Sequence, residues 1–365
     1  MTGKIVVGLG YGDEGKGITT DYLCSKSANP IVVRFSGGQQ VGHTVEHNGY
    51  KHIHSNFGSG TLRGIPTYYS EHTSIYPATF KRELEVLKEN GIEPVVVIHP
   101  MAMVTTPWDV IANRTDEDNL GHGSCGLGIG KTQKRNESPY KLYAIDLLNP
   151  EILLEKVAMI AKYYYSNVEL VDSEGMTLVE MMDEIYDFND AVTNIDWLIK
   201  GYDFLTNFRD IIFEGSQGIL LDKDLGVFPN VTHANTTTKN AHEIMKILNI
   251  TRSSVYYVTR CYSTRHGAGL FYEAPVELVN NEGETNVFNP FQKEFKVAPL
   301  DYEAIKRGLR YDNIYSSESE KHLIITCLDQ LPDFKINMGE IGQAFETVHE
   351  SWSPDSKDFK MIYTF

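Results

Sequence analysis

The residues whose types and spacing could do chemistry begin at position 8. Gly8-Leu9-Gly10-Tyr11-Gly12-Asp13-Glu14-Gly15-Lys16-Gly17 follows an apolar run and leads into a helical stretch through Tyr22. Backbone amides of such a turn, backed by a helix N-terminus, make a cradle for phosphate. Gly10-x-Gly12-x-x-Gly15 fits a dinucleotide fingerprint, which needs an acid at the end of the next strand to hold a ribose hydroxyl. Residues 31–35 instead carry Arg34 and run into Ser36-Gly37-Gly38, so a nicotinamide enzyme is disfavoured. Gly10-x-x-x-x-Gly15-Lys16 also fits a Walker loop up to its last position, where Gly17 lacks the hydroxyl that holds magnesium. The metal must then draw oxygen from elsewhere, and Asp13 inside the loop is the donor at hand. A helix N-cap is the plainer reading of Asp13.

The elements that must position this loop read as α/β. Short apolar runs at 4–8, 31–35, 94–99, 211–214, 254–259 and 322–326 read as buried strands. Helical patterns at 79–88, 150–163, 191–204, 241–248 and 302–309 lie between them. Alternation of this kind implies a mostly parallel central sheet with helices on both faces. We read residues 1–365 as one domain, with a helical lobe at about 150–207. Glycine-rich segments at 8–17, 37–42, 58–64, 121–130, 215–218 and 266–269 follow several strands, at the carboxyl-end edge where ligands of open α/β sheets gather. Loops between strands and helices also need glycine for their turns alone.

The formal net charge of -16 argues against a nucleic-acid or anionic-membrane surface, both of which need a basic face. Cys24, Cys125, Cys261 and Cys327 form no C-x-x-C pair and read as small buried hydrophobes in a reducing compartment. No signal peptide is apparent and no apolar run approaches the ~20 residues that span a bilayer, so the expectation is a cytoplasmic protein.

The opening loop resembles that of the adenylosuccinate synthetases, and further segments match that family in order. Gly37-Gly38-Gln39-Gln40-Val41-Gly42-His43-Thr44 resembles G-G-x-N-A-G-H-T, and Gly123-Ser124-Cys125-Gly126-Leu127-Gly128-Ile129-Gly130 resembles G-T-T-G-x-G-I-G. Phe213-Glu214-Gly215-Ser216-Gln217-Gly218 resembles F-E-G-A-Q-G, Thr232 with Asn235-Thr236-Thr237 resembles V-T-x-x-N-T-T, and Tyr262-Ser263-Thr264-Arg265-His266-Gly267-Ala268-Gly269 resembles Y-S-T-R-V-G-A-G. The resemblance implies a magnesium-dependent ligase that phosphorylates the 6-oxygen of a purine nucleoside monophosphate from ATP or GTP. L-aspartate then displaces that phosphate.

By position, the resemblance makes Asp13 the base and a metal ligand, the Gly42 carbonyl a second metal ligand, and Lys16 and His43 the groups that meet developing charge. It places Gly12, Gly15, Lys16, Gly17, Gly42, His43, Thr44, Asp329 and Pro354 around the triphosphate. Asp13, Gln40, Ser124, Cys125, Gln217, Thr232 and His266 fall around the acceptor nucleotide. Taken singly, His43 could be a structural histidine, and Ser124, Gln217 or Thr232 a turn residue bonded to its own backbone. The resemblance also implies a homodimer.

This chain departs from the family where the aspartate and the bases are read. The arginine-rich loop T-T-G-R-x-R-R is replaced by 291–301, leaving Lys293, Lys296 and Arg265 as candidates for the aspartate carboxylates. Gln40 stands for asparagine, His266 for valine, and Cys327 for the lysine of T-K-L-D, while Asp329 keeps the acid of that segment. These departures resemble the short phage branch, the N6-succino-2-amino-2'-deoxyadenylate synthetases, and imply dGMP as acceptor and ATP as donor. The alternatives are an IMP-using, GTP-dependent enzyme and a catalytically idle nucleotide-binding relative. Asp13, Lys16, Gly42 and His43 together argue against the last.

Overall fold

The computed structural model describes residues 1–120, 124–167, 180, 183–187, 198–279, 284, 286, 288 and 294–364. Strands β1 (Thr2–Gly8), β2 (Pro30–Arg34), β3 (His43–His47), β4 (Tyr50–His54), β5 (Thr67–Tyr69), β6 (Ser74–Ile75), β7 (Val96–Ile98) and β8 (Met103–Val104) occupy the first third. They are followed by β9 (Asp210–Gly218), β10 (Ser253–Arg260), β11 (Tyr262–His266), β12 (Phe295–Pro299), β13 (Glu320–Thr326), β14 (Thr347–Glu350) and β15 (Lys360–Thr364). Nine of them form one sheet in the order β15-β14-β13-β10-β1-β9-β2-β5-β7. Every pairing in it is parallel except that of the edge strand β15 on β14.

Continuous apolar strands are what a sheet covered on both faces requires. Ile5, Val7 and Leu9 point into one core with Ile211, Phe213, Val255 and Tyr257, beneath helices Lys239–Ile247 and Tyr302–Ser316. Val6 points the other way, with Val32, Ile212, Val258 and Ile324, against Leu23 and Cys24 of helix α1 (Lys16–Ser25). The mostly parallel sheet with helices on its two faces agrees with the alternation of the sequence. No described helix is long and apolar enough to cross a membrane.

A further core lies beyond β7. Helices α2 (Pro77–Glu89), α3 (Pro107–Leu120) and α5 (Pro150–Asn167) pack there around Trp108, Leu142, Leu153 and Ile160, and α4 (Ile129–Glu137) lies against α3. The sequence did not mark α3 or α4, whose apolar residues are sparse. The helical expectation at 191–204 falls partly outside the described residues, and Tyr202–Asn207 is a short 3-10 turn rather than α-helix.

Polar contacts inside this region are as specific as the apolar ones. Arg135 of α4 and Asp109 of α3 are both fully buried, with Nε to Oδ1 at 2.9 Å. The remaining Arg135 donors go to the Val104 and Tyr140 carbonyls, and the Tyr164 hydroxyl of α5 donates to Asp109 at 2.6 Å. One ion pair therefore joins three helices and orients α4, whose first turn is the end of the 124–130 loop. Removing one partner of a buried pair leaves the other charge without compensation. Arg135→Ala should lower unfolding free energy by about 3–5 kcal/mol, read from urea denaturation.

Candidate active site

The loops after β1, β2, β9, β10 and β13 leave the sheet at the same edge, because those strands are parallel and adjacent. The loop after β1 is shaped from inside by Glu14, which is buried. Its Oε1 accepts the amides of Gly10 at 3.0 Å and Gly12 at 2.8 Å, and its Oε2 pairs with Lys16 Nζ at 2.7 Å. Thr326, the last residue of β13, donates its hydroxyl to the Glu14 carbonyl at 2.7 Å. The bulge between β1 and β9 brings Gly218 so close that a Cβ there would lie 2.1 Å from the Gly10 carbonyl oxygen.

Glu14 thus holds the loop while Asp13, at φ 64°, is turned out of it. The Asp13 carbonyl accepts Arg260 Nε at 2.5 Å, and its carboxylate lies 3.7 Å from His266 Nε2. Burial raises the proton affinity of Asp13, and His266, Arg260 and Lys16 oppose that rise. No side chain caps α1, and its N-cap is Gly15, so the plainer reading of Asp13 as a cap does not describe this loop.

His43 opens β3 and is almost fully buried. Its Nδ1 lies 2.8 Å from Glu214 Oε1, and the other Glu214 oxygen accepts the Ser59 amide at 3.2 Å. The Ser59 hydroxyl donates to the same carboxylate. Burial pushes the His43 pKa down, and Glu214 pushes it back up. Glu214 resists its own burial through His43, Arg34 and Ser59 and is held down to about 2. Since Nδ1–H faces a carboxylate, Nε2 is the nitrogen left for a ligand.

The missing Walker hydroxyl has a steric reason. A Cβ at Gly17 would lie 2.7 Å from His43 Cβ and 3.2 Å from Ser59 Oγ, so neither serine nor threonine fits where the histidine strand crosses α1. Oxygen for a hard cation has to come from another residue. The Asp13 carboxylate and Gly42 carbonyl are oxygen donors of the kind Mg2+ takes, so the residues fit that metal.

The loop after β2 is braced by Arg34, whose guanidinium donates to the carbonyls of Ser55, Asn56 and Gly38. Gln39 Nε2 reaches the Leu127 carbonyl at 2.9 Å and ties this loop to the segment containing Ser124 and Cys125. Ser124 Oγ exchanges hydrogen bonds with the Asn113 amide and accepts the Gly126 amide. Asp222, fully buried, gathers the amides of Asp224, Leu225, Thr236 and Thr237 and so shapes the loop that carries Thr232. Several polar atoms around the cleft are buried without a protein partner: both amide atoms of Gln40, Gln217 Oε1 and His266 Nδ1. Buried polar groups are almost always satisfied, so these atoms mark where ligand groups fit.

Within the loop of Gly12, Asp13, Gly15, Lys16 and Gly17, Gly12 lies against the Gln217 backbone, Asp13 faces His266 and Gly17 lies against His43. Asp329 lies in the turn Leu328–Gln330, and Leu328 N donates to Ser351 O at 3.2 Å, so this turn neighbours the stretch ending in exposed Pro354. A bridge between Glu46 and Asp355 lays that stretch along β3, the strand of Thr44. Lys296 and Arg265 each have a partner within the chain. Lys296 Nζ pairs with Glu273 at 2.6 Å. Arg265 turns onto the Ala268 and Leu270 carbonyls and lies over the Tyr11 ring at 4.2 Å. Lys293 lies outside the described residues. Sequence reasoning did not single out Glu14, Ser59 or Arg260 as parts of the site. It quoted Glu214 in a motif without a role. The signal for Glu214 was a carboxylate closing the apolar run 211–213, which a buried strand does not carry without a partner.

The profile of the family described as Adenylosuccinate synthetase matches residues 5–335. The chain belongs to the adenylosuccinate synthetase family, whose members are C–N ligases. It is 30% identical over 344 residues to the adenylosuccinate synthetase of Mesoplasma florum, covering 90% of this chain and 77% of that one. It is 33% identical over 294 residues to that of Coxiella burnetii, covering 77% of this chain and 65% of that one. Among solved structures, the fully ligated adenylosuccinate synthetase of Plasmodium falciparum has the same fold, with TM-score 0.72, 19% identity, and 99% and 87% of the two chains covered. So does the succinoaminodeoxyadenylate synthetase of cyanophage S-2L bound to dGMP and dATP, with TM-score 0.61, 15% identity, and 99% and 95% covered.

Glu214 bonds His43 and so orients its imidazole. Glu214→Gln removes the charge that raises the His43 pKa, which should fall further in an NMR titration of the imidazole. Turnover should drop roughly 10²–10³-fold, as for loss of a preorganised charge-stabilising group, with nucleotide KM little changed.

Proposed function

We propose that this family member is a purine nucleotide–aspartate ligase that takes dGMP as acceptor and ATP as donor, and forms N6-succino-2-amino-dAMP. The observation that carries the ligase reading is Asp13, a carboxylate turned out of a phosphate loop between Lys16 and His266, its proton affinity raised by burial. In this reading Asp13 takes the proton from purine N1 as the 6-oxygen attacks the terminal phosphorus and the nucleoside diphosphate leaves. Lys16 and His43 meet the charge that develops on the transferring group. The aspartate amine then attacks C6, the 6-phosphate departs with the C–O electron pair, and the amine loses its proton. Asp13 and the Gly42 carbonyl would hold magnesium, which would neutralise phosphate charge. Gly12, Gly15, Gly17, Thr44, Asp329 and Pro354 line the donor side of this proposed site. Ser124, Cys125, Gln217 and Thr232 hold the acceptor, and Arg265, Lys293 or Lys296 the aspartate. We read the working enzyme as a cytoplasmic homodimer.

The dGMP assignment rests on Gln40 and His266. Both replace smaller family residues and both carry buried polar atoms without a protein partner. A 2-amino group and its ring edge offer complementary donors and acceptors. The fold shared with a phage enzyme bound to dGMP supports the same reading. A second reading, IMP with GTP, is favoured by the retained Asp13 and by the 30% and 33% identities with adenylosuccinate synthetases.

Asp13→Ala should lower turnover by ~10²–10⁴-fold, the usual worth of a positioned base, while purine nucleotide binding stays within about tenfold. Near-wild-type turnover of this variant would remove Asp13 from the mechanism. The acceptor is settled by kcat/KM for dGMP, GMP and IMP at fixed aspartate and triphosphate, following the succinylated product. We expect dGMP to exceed IMP, because a site that binds the exocyclic amine leaves a buried acceptor unpaired with IMP, at ~1–3 kcal/mol. A preference for IMP of about tenfold, ~1.4 kcal/mol, establishes the IMP reading instead.

A further inference from the structure

Behind the strand that carries His43 lies a second group of ligating side chains that the ligase reading does not use. His52 and His54 are two residues apart on β4, so both project from the same face of that strand. Glu83 projects toward them from α2, at a position on the buried stripe of that helix with Phe80, Leu84 and Leu87. His52 Nε2 is 3.2 Å from Glu83 Oε1, His54 Nδ1 is 3.7 Å from the same oxygen, and the three ligating atoms all lie within 4.8 Å of one another. All three residues are buried.

Two features set this group apart from an ordinary buried ion pair. His54 is 1% exposed, yet neither of its ring nitrogens has a hydrogen-bond partner. A buried imidazole in that condition costs the desolvation of both nitrogens, offset only by the Glu83 carboxylate 3.7 Å from Nδ1. Glu83, by contrast, is oriented from behind. Its Oε2 accepts the Asn56 amide at 2.6 Å and the Asn56 side chain at 2.9 Å, and the Ser55 amide reaches both oxygens at 3.2 Å. Backbone donors that aim a carboxylate oxygen in this way are the usual outer support of a metal ligand.

We propose that His52, His54 and Glu83 form a binding site for a zinc-class divalent cation, distinct from the magnesium site. Zinc bonds of about 2.0–2.2 Å to imidazole nitrogen and carboxylate oxygen place tetrahedral ligands about 3.3–3.5 Å apart. The two distances to Glu83 bracket that spacing. Two imidazoles and one carboxylate suit zinc over magnesium, which takes oxygen. Three protein ligands leave a fourth position for solvent. The site ties β4 to α2, and β4 is paired with β3 so that His54 lies directly opposite His43. The bound ion therefore fixes the hairpin whose first residue is the proposed charge stabiliser.

The test uses the full chain, stripped with chelator, re-equilibrated with zinc chloride and dialysed. Wild type should retain about one zinc per chain by elemental analysis, and its Tm should rise with zinc. His52→Gln with His54→Gln, which spares the Glu83 carboxylate and the amides it caps, should lose both the retained metal and the shift. Asp13→Ala should keep both, which separates this site from the one that serves the ligase reaction. Should the double variant fold poorly, His52→Asn alone and the visible spectrum of cobalt-loaded wild type replace it. An intense tetrahedral cobalt band, reduced in His52→Asn, is the expected result. Absence of retained zinc in wild type, undiminished zinc in the histidine variants, or loss of zinc in Asp13→Ala overturns the site.

Discussion

The geometry of the cleft depends on one carboxylate that lies under the phosphate loop rather than in the cleft itself. Glu14 collects the amides of Gly10 and Gly12 on one oxygen and Lys16 on the other, all within the loop's own ten residues. Burying an acid there is expensive unless it is paired and hydrogen-bonded, and here two amides and an ammonium meet it. The arrangement leaves no room around it. A Cβ at Gly8 would lie 2.1 Å from a Glu14 oxygen, and one at Gly15 2.9 Å from Thr326. Because the loop cannot drift, Asp13 leaves it at a left-handed residue and faces His266. The strain at φ 64° is held in place by Arg260 on the Asp13 carbonyl and by Thr264 on that of Gly12.

The same constraint passes from the loop to the histidine. Gly17 gives β3 its closest approach to α1, so the position of His43 follows from that of the loop, and Ser59 and Glu214 complete the contact from two other segments. Burial works against charge on both sides of this site, raising the proton affinity of Asp13 and lowering that of His43. What keeps either within reach of proton transfer is a compensating partner: Lys16, Arg260 and His266 for the aspartate, Glu214 for the histidine. A chain of net charge -16 can therefore hold a phosphate site, because the cations it needs are few, local and buried.

Sequence alone made the interior of the sheet legible, because β1, β2, β9, β10 and β13 are buried on both faces and read as unbroken apolar runs. It missed β5, β6, β8 and β14, which are two to four residues long and too short for any period to register. The hairpin of β3 and β4 was hidden by its polar residues, three of them histidines that are buried by partners far along the chain. The family motifs named Asp13, Lys16, Gly42 and His43, since these lie in contiguous loops. They could not supply Glu214 as the partner of His43, 171 residues away, or Arg260 as the group that grips the Asp13 carbonyl from 247 residues away. Lys296 was named as a charge standing in for the arginine loop, and Arg265 stands in the matched segment 262–269. The structure gives each a neighbour that the sequence did not reveal: Glu273 for one, backbone carbonyls and the Tyr11 ring for the other.

The departures from the family pattern and the retained machinery also occupy different parts of the structure. Asp13 and Lys16 follow the central strand β1 and Glu214 lies within β9, where a shift would disturb neighbours on both sides. His266 and Lys296 sit on the two-stranded ribbon of β11 and β12, which lies outside the nine-stranded sheet, and Gln40 sits in the loop after β2. A ribbon of this kind can exchange side chains without moving the phosphate loop, provided its attachment holds. One attachment is Arg260, at the end of β10, bonded at once to the Asp13 carbonyl, Tyr262 and Glu284. Arg260 thus couples the phosphate loop to the ribbon that carries His266. This division lets side chains on the ribbon and in the loop after β2 change while the residues of the phosphate loop stay in register.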